Sequence, residues 1–354
     1  VGKFIARCAL FLVALAIILE GFFRIVLPAT QHPRLAFVEE FQISRFDPDW
    51  MASGIRTIGP FCRRQGNWTL NSSGWNSRFE YPPERTVGRP RIAILGDSYI
   101  AGFAVDVEKH IDSALFDLLG GTSDVFAFGD PGAPLAHLVG LTRYIDASYA
   151  PDIFIIFVSH GAISKSLEQA SPFRYRVVEE SNGFKLAPPQ RSYVSNRLGR
   201  FVYRSALVRY VLMNRQVPLN SPREGFLGLD QIEGTVDLPI RTCDLALADF
   251  LLGEFCKAAP HQRIVFITDA PRGPLYRQTM KPLPRPLDFR LLEQVAAEYP
   301  RVQVLGLGDA MWEDFQTNGI RFESPPDPHW NERGHLVAAQ ALYRFLEPDS
   351  PGGD

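Results

Sequence analysis

Two short stretches hold the residues best suited to chemistry. Arg91-Ile92-Ala93-Ile94-Leu95 reads as an apolar strand that stops in the turn Gly96-Asp97-Ser98. A serine at the C-terminal end of a parallel strand is well placed as a nucleophile, because the amides of a following helix stabilise negative charge. The second stretch, Asp327-Pro328-His329-Trp330-Asn331, precedes the amphipathic run from Leu336 to Leu346. A serine needs a base to accept its proton, and the base needs a carboxylate to fix its tautomer and steady the imidazolium. Ser98, His329 and Asp327 thus form a candidate nucleophile, base and orienting acid for acyl transfer. Such a pair requires an Oγ to imidazole nitrogen distance of about 2.6–3.5 Å.

Gly-Asp-Ser after the first core strand, paired with Asp-x-His before the last helix, resembles the SGNH (GDSL-type) hydrolase superfamily. The likeness is strongest to its membrane-anchored bacterial branch and to relatives in polysaccharide O-acetylation. It covers roughly residues 70 to 347 in separated blocks. It implies a three-layer α/β/α, flavodoxin-like fold with a parallel sheet, and the triad Ser98, His329 and Asp327. Asn71-Ser72-Ser73-Gly74 resembles an Asn-Ser-x-Gly element that precedes the first strand in the anchored branch.

Phe128-Gly129-Asp130-Pro131-Gly132 resembles the second family block, which implies an oxyanion hole made of the backbone N–H groups of Ser98 and Gly132. In the third block the family's Gly-Asn-Asp is replaced by His160-Gly161-Ala162, so the Asn donor is missing. Loss of one such donor costs about 10²–10³ in rate. The backbone N–H of Gly161 or the ring of His160 is the available substitute. By the same resemblance, Trp330 and Asn331 build the loop and cap the last helix, and His335 is structural.

The elements that must position these residues follow from periodicity. Strand-like runs stand at Ile92–Leu95, Val125–Phe128, Ile153–Val158, Ile264–Thr268 and Val302–Leu305. Helix-like runs fall between them, at Leu135–Ala147, Leu245–Ala258 and Phe289–Tyr299, the last with Asp288 as its N-cap, and a further helix is expected over Glu108–Leu119. Short apolar strands alternating with amphipathic helices predict a parallel sheet covered on both faces. Right-handed crossovers then bring the strand C-termini, with both motif loops, to one edge. The domain is expected over residues 90–347, with an irregular leading segment at 29–89 and a tail at 348–354. Within about 165–238 the alternation breaks. Phe173–Val178 and Gly183–Ala187 suggest a hairpin, and Arg197–Arg215 an amphipathic helix. With Arg174, Arg176, Lys185, Arg191, Arg200, Arg204 and Arg209 this insertion is basic, which fits either a solvated face or a lid that meets an anionic glycan, lipid headgroups or a partner protein.

At 354 residues, 46% apolar and net charge −2, the composition is that of a globular chain with a sizeable core and no global affinity for nucleic acid. The four cysteines lack metal-type spacing, and Cys62, Cys243 and Cys256 allow at most one intramolecular disulfide among them. No metal or cofactor is implied. Leu305-Gly306-Leu307-Gly308 is too short for a dinucleotide fingerprint. Lys3 and Arg7 precede an apolar run that extends to Pro28, broken by Glu20 and Arg24, which share a helix face. Residues 1–28 are therefore expected to be an uncleaved anchor in the inner membrane, with the body exported to the periplasmic side; a cleaved signal peptide is the rival reading.

Three functions fit these observations. The first is a cell-envelope serine esterase acting on an acylated glycan or lipid. The second is a polysaccharide O-acetyltransferase with the same triad, served by a membrane partner that supplies the acyl group. The third is a binding protein on a catalytically impaired SGNH fold.

Overall fold

The computed structural model describes residues 1–167, 172–191, 203–215, 239–277, 283–325 and 327–347. Its centre is a sheet of β5 (Arg91–Gly96), β6 (Asp124–Gly129), β7 (Ile153–Val158), β10 (Arg263–Thr268) and β11 (Val302–Gly306), each coinciding with an expected apolar run. Every pairing is parallel, and the spatial order is β11-β10-β7-β5-β6. Counted along the chain this is the doubly wound order 2-1-3-4-5 of flavodoxin-like folds. The order reverses beside β5, so the crevice at the C-terminal ends of β5 and β7 is where such a fold binds ligands.

Alternation along each strand feeds two separate cores. Ala93, Leu95, Phe126, Phe128, Phe154 and Ile156 point to one face, where α4 (Leu135–Tyr149), α6 (Thr242–Ala258) and α8 (Leu287–Ala296) pack. Ile92, Ile94, Ile155, Phe157, Val265 and Ile267 point to the other, under α3 (Ile111–Leu118), α9 (Gly308–Asn318) and α10 (Glu332–Leu346). Both faces are dry, which is why the strands read as unbroken apolar runs. Each fully buried side chain of this kind contributes about 1.5–3 kcal/mol, so Phe157→Ala, at the centre, would cost about 3–5 kcal/mol.

The leading segment, expected to be irregular, carries two antiparallel hairpins instead. These are β1 (Leu35–Val38) with β2 (Ile43–Phe46), and β3 (Ser53–Ile58) with β4 (Arg63–Thr69). The second hairpin is polar along most of its length but seats Trp68, fully buried, against Phe46, Leu70, Ala101 and Phe103. In the insertion, β8 (Arg176–Glu180) and β9 (Gly183–Ala187) form the expected hairpin. Of the expected helix at 197–215, residues 197–202 lie outside the described residues. The described part is a short helix, α5 (Ala206–Arg209), running into a π-helical turn at Tyr210–Asn214. Among the described residues, three of the insertion's positive charges have partners of their own. Arg174 pairs with Asp130 at 2.9 Å, Lys185 with Glu180 at 3.5 Å, and buried Arg209 donates to the Thr30 carbonyl at 2.9 Å. Arg200 is outside the described residues. The four cysteines are free thiols.

Among the described residues one helix, α1 (Gly2–Ile25), has a mean hydropathy of 2.3 and is long and apolar enough to cross a membrane. A signal sequence has the same character. Its last turns are joined to the body. The Glu20 carboxylate accepts from Arg24 at 2.7 Å and from Ser205 Oγ, Ala206 N–H and Leu207 N–H at 2.8–3.0 Å, so it covers the start of α5. Phe23 stacks on Tyr210, with ring centroids 3.8 Å apart.

Candidate active site

The nucleophile loop is held by close backbone packing. Asp97 ends β5 and caps a one-turn helix, α2 (Ser98–Ala101), its carboxylate accepting the Tyr99 N–H at 3.0 Å. Burial pushes the Asp97 carboxyl up from the ordinary range, against that hydrogen bond. The expected helix over Glu108–Leu119 is in fact a 3₁₀ turn at Val107–Lys109 followed by α3 from Ile111, so the helix directly under Ser98 is α2. A Cβ at Gly129 would stand 2.0 Å from the Ala101 backbone nitrogen. That approach requires glycine, and it sets the Asp130-Pro131-Gly132 loop beside α2.

Asp327 and His329 lie on a short strand, β13 (Asp327–Trp330), paired with β12 (Glu323–Ser324), rather than in an open loop. His329 Nδ1 is 2.5 Å from Asp327 Oδ1, and His329 Nε2 is 2.7 Å from Ser98 Oγ. The same Asp327 oxygen accepts the His329 backbone N–H at 3.1 Å, which closes the turn over Pro328.

The strand is anchored on its inner side. The Pro328 carbonyl accepts from Tyr99 OH at 3.1 Å, and Tyr99 OH accepts from buried Arg272 at 2.7 Å. Arg272 also pairs with Asp269 and Glu323 at 3.1 and 3.0 Å. Buried Trp330 donates to Asp269 at 3.1 Å. Asn331 caps α10 by accepting from Arg333 N–H and Gly334 N–H. His335 is buried against His110 and Trp330, and burial pushes its ring well below the ordinary imidazole range, so it stays neutral.

Asp327 has partners that the sequence reading did not anticipate. Gln65 Nε2 donates to its Oδ2 at 2.9 Å, and an Arg56 guanidinium nitrogen stands 3.7 Å from the same oxygen. Burial alone would raise this carboxyl. The His329 hydrogen bond and charge, then Arg56 and Gln65, hold it well below the usual carboxylate range. A cavity of about 350 Å³ opens here, lined by Ser98, His329, Gly132, Phe103, His32 and Arg56 among others. A larger cavity, about 780 Å³, lies behind Gln65 between α3 and α10, away from Ser98 and His329.

The expected oxyanion donors divide. Gly132, with φ +76, lines the cavity with Ser98. Its loop is braced by Asp130, which accepts from Arg174 at 2.9 Å and stands 3.0 Å from His137 Nε2. Gly161 is not available as a donor, because its N–H donates to Asp288 at 2.8 Å. Asp288 also accepts the Ile163 N–H at 3.3 Å. It is therefore not the N-cap of α8, a position that Pro286 occupies; its buried side chain turns to the loop after β7. The His160 ring does not line the Ser98 cavity either.

No protein-family model and no curated protein matches this chain. Among solved structures it is similar to a two-domain esterase active on acetylated mannans, at 13% identity and TM-score 0.38, over 75% of this chain and 52% of that one. A carbohydrate acetylesterase family member from Sinorhizobium meliloti matches at 11% identity and TM-score 0.34, over 73% of this chain and 97% of that one. A salicylyl-acyltransferase from a tetracycline biosynthetic pathway matches at 13% and 0.37, over 74% and 56%. The chain thus spans about half the length of the first and third of these proteins. With its five-stranded parallel order 2-1-3-4-5 and helices on both faces, the body of this chain is a doubly wound, flavodoxin-like α/β/α domain.

Proposed function

We propose that this protein is a serine ester hydrolase of the cell envelope that cleaves O-acyl esters of a carbohydrate or lipid through an acyl-enzyme. The observation that carries the reading is the unbroken chain from Ser98 Oγ through His329 to Asp327, with spacings of 2.7 and 2.5 Å, at the wall of an open cavity. In the first half-reaction Ser98 Oγ bonds to the ester carbonyl carbon while its proton passes to His329 Nε2. The oxyanion is met by the N–H groups of Ser98 and Gly132. Collapse breaks the bond to the alcohol, which leaves with the proton from His329. Water then repeats the sequence, and the acid is released. Asp327 stays ionised and steadies the imidazolium. With the third donor of the family pattern absent, this reading predicts a rate about 10²–10³ below that of a three-donor site.

An O-acyltransferase shares the first half-reaction and replaces water by a sugar hydroxyl in the second. For location, we read α1 as a span that leaves its N-terminus in the cytoplasm and the body outside, on the charge of Lys3 and Arg7. The joint between Glu20 and α5 supports retention of the helix.

The test is a p-nitrophenyl acetate burst on the full-length, detergent-solubilised protein, with fluorophosphonate labelling in parallel. Wild type should give a burst and a label on Ser98, and Ser98→Ala should lose both, with turnover down at least about 10³-fold. Addition of glycan acceptors separates transfer from hydrolysis. A wild-type protein with neither burst nor label sinks the proposal.

A further inference from the structure

The hairpin β3–β4 stands outside the sheet and before every family-like block of the sequence, yet it reaches the catalytic carboxylate. Its register slips beside Arg56: Arg56 faces Gly66 while Thr57 faces Arg64, so Gln65 has no partner across the ladder. A bulge of this kind re-aims a side chain. Here Gln65 turns to Asp327, donating through Nε2 at 2.9 Å, and its Oε1 accepts from Arg56 Nε at 3.3 Å. The result is a continuous line, Arg56 to Gln65 to Asp327 to His329 to Ser98.

The hairpin is fixed in this pose from below. A Cβ at Gly66 would stand 2.1 Å from the Val105 carbonyl carbon, so only glycine lets β4 lie on the loop that follows α2. Asp106, on that loop, accepts from Asn67 N–H at 2.7 Å and from Arg64 at 2.8 Å.

We propose that Gln65 and Arg56 are positioning residues of the catalytic apparatus, with Gln65 fixing the Asp327 carboxylate for His329 and Arg56 fixing Gln65. The inference rests on the triad reading above. Asp327 has one oxygen committed to His329, and its second oxygen must be held for the carboxylate plane to stay aligned with the ring. No backbone amide does so among the described residues; Gln65 does, with Arg56 adding positive charge 3.7 Å away. Other charged or titratable groups near this pair include Asp97 below Ser98, Tyr99 against the His329 ring, Arg63, which donates to the Pro325 carbonyl, His335 from α10, and His32 beside Arg56.

The experiment compares wild type with Gln65→Met, Arg56→Gln and Arg56→Lys on p-nitrophenyl acetate, as full-length protein, across pH. Gln65→Met keeps the side-chain length but removes both polar atoms. It should lower kcat about 10–100-fold with KM within about twofold of wild type, since a slightly misplaced base costs that much. Arg56→Gln should lower kcat less and move the acid limb of kcat/KM up by about half a unit, because an imidazolium forms more readily once a nearby cation is gone. Arg56→Lys should restore the limb. Wild-type kcat in Gln65→Met overturns the proposal, whatever the melting temperature. If Gln65→Met does not fold, an Arg56→Gln limb that coincides with both wild type and Arg56→Lys overturns it instead. A wild-type protein without a burst is a separate result, which removes the triad reading itself.

Discussion

Two buried carboxylates flank the crevice at the C-terminal ends of the strands, and they are used in opposite ways. Asp327 is surrounded by side chains: the His329 ring, the Gln65 amide and the Arg56 guanidinium. Asp288 takes two backbone amides, Gly161 N–H and Ile163 N–H. Their proton affinities differ accordingly. His329, Arg56 and Gln65 hold Asp327 well below the ordinary range, whereas burial raises Asp288 despite its amide partners. A carboxylate held between an imidazole, an amide and a cation is kept in its charged form. Asp288 instead fastens a loop through backbone amides, with the His160 ring nearby. The loop after β7 is tied down by this use of Asp288, with the Gly161 and Ile163 N–H groups committed to it.

Substitution of each acid is the most direct way to break this contrast. Asp327→Asn should lower kcat about 10³–10⁴-fold, through loss of the tautomer that leaves His329 Nε2 free to accept. Its cost to stability should be felt above about pH 4 and fade in acid. The depressed Asp327 carboxyl contributes stability that is fully present above the unfolded value of about 3.9 and lost as pH falls through the folded one. A pH series of urea midpoints should therefore be flatter below about pH 4 in the variant.

Asp288→Ala should behave in reverse. It leaves two amides near β7 without an acceptor and should cost about 1–3 kcal/mol in urea unfolding, with activity within about tenfold of wild type. If Asp288→Ala proves as damaging to kcat as Asp327→Asn, at unchanged stability, the division of labour is wrong. A smaller effect is expected at the other end of the chain. Glu20→Ala removes the acceptor for Ala206 N–H and Leu207 N–H. It should cost about 1 kcal/mol and show first as faster proteolysis near residues 203–215, with kcat unchanged.

The parallel sheet was legible because burial on both faces forces apolar runs such as Ile153–Val158, and no competing use of those residues exists. That Ser98 and His329 would come near one another was legible from topology: Ser98 follows the end of β5, His329 lies just before the last helix, and the two side chains stand 2.7 Å apart. What stayed hidden depends on side chains reaching across the chain. Arg63 to Thr69 is a polar run with one buried aromatic, so nothing in its pattern announces a strand, and a bulge at Gln65 has no sequence signature. Asp288 looked like a helix cap because it stands just before an apolar periodic run. Its actual partners are 125 and 127 residues away, on the loop after β7. The same distance problem hid the fate of Gly161.

The strand β3 also places Arg56 and Thr57 side by side, and Thr57 belongs to the exit of α1. Its Oγ1 donates to the Pro28 carbonyl at 3.0 Å and accepts from Asn214 at 3.0 Å, while its N–H donates to Thr30 Oγ1 at 3.3 Å. One peptide unit thus separates the foot of the apolar helix from the side chain beside Asp327. With α1 in a bilayer, such a body is not a float on a line that samples the space its tether permits. It would be a bench bolted to the floor, with the cavity mouth held at one height above the lipid.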